Sequence, residues 1–162
     1  MKSELQELID ECTTEINDIQ TRIVDMPALD KCVRYLTHYA LIKASGTAEF
    51  VYRSIVADYF SALSNSRIDT YLDTAIRQGS MSAKYSNMCR LLGKFDEQWQ
   101  TSFKSAVKAH PHSQRIIAAS DSLVTNRHDF AHGKTPTATF NDIKNYYFDV
   151  LELIKIFDSI VC

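Results

Sequence analysis

The sequence predicts an all-α fold, and three observations carry that expectation. Only 4 Gly and 3 Pro occur in 162 residues, too few for the turns of a β-sandwich or the glycine-rich cradles of a nucleotide fold. Apolar residues recur at helical spacing, not alternating, along most of the chain. The length, with 45% hydrophobic and 23% charged residues, fits one globular domain over 1–162, an acidic helix over 1–26 preceding a bundle core over 27–162. No apolar run nears the ~18 residues that cross a bilayer. The opening MKSELQELIDE has no signal-peptide pattern, so a cytoplasmic protein is expected.

Leu5, Leu8, Ile9, Cys12, Ile16, Ile19 and Ile23 lie at helical spacing with acids between them, an amphipathic helix that ends near Met26-Pro27. A second helical stretch runs from Leu29 to Leu63 and meets Ser45-Gly46-Thr47, where either a kink or a turn is compatible with the glycine. Shorter pieces follow at about 67–78 and 84–93. Phe95, Trp99, Phe103 and Val107 then form an i, i+4 stripe, expected as a buried packing seam in preference to a base-stacking platform. His110-Pro111-His112 breaks the chain, and Ser113 is a suitable N-cap for the next helix. That helix spans about 114–132 and stops at Gly133, a residue suited to a left-handed cap. After a loop over 134–138, Thr139 and Asp142 have capping-box spacing and open a last helix whose face carries Ile143, Tyr146, Val150, Leu153, Ile154, Phe157, Ile160 and Val161.

The net charge of −2 conceals an asymmetry. Residues 1–30 carry eight acids against Lys2 and Arg22, whereas residues 77–134 hold nine Lys and Arg against Asp96, Glu97, Asp121 and Asp129, and four of the five histidines. A basic surface of that size suits either a polyanion or solvent. Cys12, Cys32, Cys89 and Cys162 are far apart with no CxxC pair, so reduced, mostly buried thiols are expected and neither a zinc knuckle nor a redox dithiol.

Asn126-Arg127-His128-Asp129-Phe130-Ala131-His132-Gly133 is the densest polar cluster. Ile116, Ser120 and Leu123 step along one helix face, and the next step lands on Arg127, where packing calls for a hydrophobe. A guanidinium there must face a carboxylate, a subunit interface or an anionic ligand. His132 falls at the helix C-terminus, where the macrodipole favours imidazolium, and Asp129 pushes the same way. On a regular helix Arg127 and His132 project about 140° apart.

Arg127 through His132 resembles the Arg-polar-x-x-x-His signature of the HEPN superfamily, most nearly that of the small RiboL-PSP-type HEPN nucleases. The likeness extends to Leu41 through Val51, which resembles the helix bearing a characteristic acid, here Glu49. It covers the chain from about residue 28 onward and leaves the acidic first helix outside. The resemblance implies an up-and-down helical bundle that homodimerises, so that two Arg127 and two His132 share a composite cleft. It further implies a metal-independent endoribonuclease of the toxin or antiviral-defence kind, with a cognate antitoxin or defence partner. In that reading Arg127 and His132 are catalytic, and His128, Asn126, Asp129 and Glu49 position the phosphate or the substrate. RNA is the partner, and no metal or other cofactor is called for.

Three other readings compete. Arg127, Asp129 and His132 would serve equally as an ion-pair network holding the bundle together. His128 and His132, at i, i+4, share a face as zinc ligands do, without a further Cys or carboxylate at matching spacing. Several HEPN-like domains are non-catalytic adaptors or RNA- or protein-binding modules.

Overall fold

A computed structural model describes residues 1–63 and 66–161. Its elements are α1 (Ser3–Ile23), α2 (Lys31–Ser61), α3 (Ser66–Tyr71) continuing as a π-helical turn over Leu72–Arg77, α4 (Tyr85–Phe95), α5 (Glu97–Ala109), α6 (Ser113–Ala131) and α7 (Phe140–Ile160). No strand occurs among the described residues. The bundle is built around α2, which packs on α1, α6, α7 and the π turn, while α7 closes the other side against α5 and α6.

Gly46 does not interrupt α2, which runs unbroken for 31 residues. A single helical glycine costs about 1 kcal/mol. Around it Ala40, Leu41, Ala44, Ala48, Val51 and Tyr52 are wholly buried, a burial that outweighs one weak position. Gly46 itself looks onto open space.

The predicted aromatic stripe divides. Phe95 closes α4, and the Asp96 carboxylate accepts from the backbone of Gln98 and Trp99 to start a separate helix. The residues still form a seam and not an exposed platform: Phe95 stacks on Phe60, Trp99 meets Tyr59 edge-on, and Phe103 is buried against Phe157. Ser113 is the first residue of α6, one past the cap position, which His112 occupies without a side-chain bond.

The Thr139–Asp142 capping box forms as read. On α7 the deeply buried tyrosine is Tyr147; the predicted Tyr146 is half-buried. The Tyr147 hydroxyl donates to the Ile9 carbonyl and so ties α7 to α1. Cys12 and Cys89 are buried thiols, Cys32 is exposed, and Cys162 lies outside the described residues. No helix among the described residues is long and apolar enough to cross a membrane.

Candidate active site

Ile116, Ser120 and Leu123 of α6 are fully buried, which puts Arg127 at the continuation of a packed face. Its side chain remains 42% exposed while Nη2 lies 3.7 Å from Oε2 of Glu49 on α2. Glu49 is a buried acid whose second oxygen, Oε1, has no hydrogen-bond partner among the described residues. Burial pushes its carboxyl above the ordinary range, and the Arg127 and then the Arg53 charges oppose that rise. Arg53, one turn further along α2 and 9% exposed, donates Nε–H to the Glu49 carbonyl at 2.8 Å. Arg127 thus pairs with the carboxylate, while Arg53, whose hydrogen bond goes to the backbone carbonyl, adds a second positive charge beside it.

The end of α6 is held in a fixed shape. Gly133 takes φ +75°. Its N–H bonds to the Phe130 carbonyl, and that of Lys134 to the Asp129 carbonyl, the paired bonds of a Schellman cap. His132 is the C-cap and stands beside His128, ring centroids 4.2 Å apart. Asp129 pairs with Lys134 at 3.2 Å instead of with His132. Asn126 is occupied by backbone: its amide donates to the Ser122 carbonyl and its oxygen accepts from the Ala138 N–H, which pins the loop before α7.

Of the predicted residues, Glu49 thus sits with Arg127 and His128 with His132, and among the described residues no hydrogen bond joins Arg127 to His132. Among the described residues no three His, Cys, Asp or Glu side chains are grouped as metal ligands. Two residues escaped the sequence reading. Arg53 carried a signal, a cation one turn after Glu49 in an otherwise apolar run. His38 carried none; it packs on Phe130 at 4.6 Å, and burial and then the Arg34 charge hold its imidazole below the ordinary value.

The structure is thus an all-helical bundle with an Arg and a His at the end of α6 and a buried acid of α2 beside the Arg. The chain belongs to the RiboL-PSP-HEPN family, whose family model matches residues 4–162. The match includes α1, which the motif-based resemblance left out; α1 packs along α2 and completes the core, so it is part of the domain. No curated protein and no solved structure matches the chain. The superfamily includes RNases, and membership points to nuclease-like or RNA-related function.

Proposed function

We propose that the chain is a metal-independent endoribonuclease whose site is completed by a second copy, with two Arg127 and two His132 facing one cleft. The observation that carries this reading is Arg127 itself: a guanidinium braced from below by a buried acid and open above is set to receive an anion. The divergence of Arg127 and His132 within one chain is what a two-copy site resolves, the arginine of one protomer working with the histidine of its partner.

In the reaction, the ribose 2′-oxygen attacks its own phosphorus. The 2′-O–P bond forms, the bond to the 5′-oxygen breaks, and a 2′,3′-cyclic phosphate results. One His132 takes the 2′-hydroxyl proton, the His132 of the second copy delivers one to the leaving 5′-oxygen, and Arg127 neutralises the charge on the non-bridging oxygens. His128 orients the His132 ring, Glu49 holds Arg127, and Asn126 and Asp129 act through the backbone and Lys134 to fix the end of α6. A nuclease of this kind fits a toxin or defence effector in the cytoplasm, restrained by a partner protein that covers the cleft.

Incubation with total RNA, with and without EDTA, beside light scattering of the same sample, tests the proposal. Cleavage that survives the chelator, in a dimer, is expected. Cleavage abolished by EDTA turns the case to a metal held by His128 and His132, and a dimer that binds RNA without cutting it is an adaptor.

A further inference from the structure

We propose that Arg53, Arg90 and Lys94 form a phosphate-binding site for a stretch of RNA beyond the scissile position, an assignment that rests on the ribonuclease reading above. A cavity of about 340 Å³ lies between α2, the segment after the π turn, and α4. Arg53, Arg90 and Lys94 line it with Gly79, Ser80 and Met81, and no acid among the described residues does. A second, more open cavity of about 540 Å³ shares Arg90 and Lys94, adds Lys104 from α5, and is likewise without an acid.

Among the described residues none of Arg53, Arg90, Lys94 and Lys104 lies within ion-pair distance of a carboxylate; Arg90 donates to Asn87 Oδ1 at 2.8 Å and Lys104 to Gln100 Oε1 at 3.1 Å. The nearby acids are engaged elsewhere. Asp58 and Asp73 both hold Arg77, and the Asp96 carboxylate caps α5. Arg53 is the decisive member, since a guanidinium nine-tenths buried needs anionic charge near it, and Glu49 is already claimed by Arg127.

The placement selects an extended polyanion over an isolated ion. Glu49 and Arg53 are one helical turn apart, about 6 Å of rise, so the cations continue from Arg127 through Arg53 to Arg90 and Lys94. Two cavities side by side that share two cations suit consecutive phosphates of one strand. Three of the nine Lys and Arg of residues 77–134, Arg90, Lys94 and Lys104, line these two cavities.

The test uses His132→Ala as the background, so that binding is read without cleavage, and a labelled single-stranded RNA over a range of KCl. Adding Arg90→Ala and Lys94→Ala should weaken binding about tenfold or more, the scale of a lost charge-assisted hydrogen bond. It should also lower the slope of log affinity against log salt by about 1.4, two cations at ~0.7 each. Melting temperature and oligomer mass should hold, Arg90→Lys should keep the slope, and Lys155→Ala, on the exposed face of α7, should change nothing. Undiminished affinity and slope in the double variant, with wild-type cleavage intact, overturns this site and leaves the nuclease reading standing. Wild-type protein that neither cuts nor binds RNA overturns both. Inorganic phosphate that raises the melting temperature of the wild type but not of the double variant, while RNA binding is the same in both, makes this a small-anion site and overturns the RNA assignment.

Discussion

Two of the carboxylate–cation pairs that join α2 to its neighbours are built in opposite ways. Glu15 of α1 receives Lys43 Nζ at 2.7 Å on one oxygen and the Tyr39 hydroxyl on the other. Those bonds, from Lys43 first and then Tyr39, hold its carboxyl below the ordinary range. Glu49, two turns beyond Lys43, is buried, meets Arg127 at 3.7 Å, leaves Oε1 without a partner among the described residues, and is held above that range by burial. The Glu15 pair is satisfied and solvated, an arrangement that fastens two helices. At Glu49 the charge is left unfinished, as is fitting for a cation whose true counterpart is a ligand.

The largest effects should come from the groups assigned to chemistry. Arg127→Ala and His132→Ala should each lower RNA cleavage by ~10²-fold or more, with the helical content and oligomer of the wild type. Arg127→Lys should recover part of that loss, because an ammonium lacks the bidentate fork. If Arg127→Ala instead unfolds the chain or splits the dimer before activity is lost, Arg127 belongs to a structural network and the contrast with Glu15 collapses.

Glu49→Gln comes next. Removing the brace on Arg127 should cost about tenfold in cleavage, near one charge-assisted hydrogen bond. Stability should be unchanged or raised, since a buried, half-satisfied carboxylate is replaced by a neutral amide. A lower melting temperature would mean that the pair fastens the helices as Glu15 does.

The pH dependence separates the two acids by sign. Glu49 has a raised folded value, so its contribution to stability is present at acid pH and is lost as pH rises through that value. Glu15 has a lowered folded value; its contribution is present above the unfolded carboxylate range and is lost as pH falls through the folded value. Urea midpoints from about pH 3 to about pH 8 should show Glu49→Gln gaining on the wild type as pH rises. The deficit of Glu15→Gln should vanish on acidification. Parallel profiles would refute the contrast.

The smallest effect expected is the size of the Glu15 deficit. Its side chain is 37% exposed, so solvent screens the pair, and Glu15→Gln should cost at most about 1 kcal/mol at neutral pH without altering cleavage.

Much of the site was legible because its residues break a local rule. Arg127 occupies an apolar register and His132 and Gly133 end a helix, both visible from spacing on a single helix, whereas Glu49 was singled out only by the family resemblance of its segment. Asn126 and Asp129 were legible as polar but not in role, because their partners, Ala138 and Lys134, lie across the helix end where folding of the loop decides contact. His38 against Phe130 joins residues 92 positions apart, and nothing in either segment announces the other.

By itself the sequence determined the helices, the capping box at Thr139, the left-handed stop at Gly133 and the placement of a cation where a core residue is due. Each depends on neighbours within a turn or two, the range over which backbone hydrogen bonds and side-chain periodicity act. Tertiary structure alone decided that α2 passes straight through Gly46, that Tyr147 rather than Tyr146 is buried, and that Arg127 of α6 meets Glu49 of α2. It also decided that cations from α2 and α4 line one cavity. Those outcomes depend on which helix faces meet, and the burial energy that selects them is summed over the whole core.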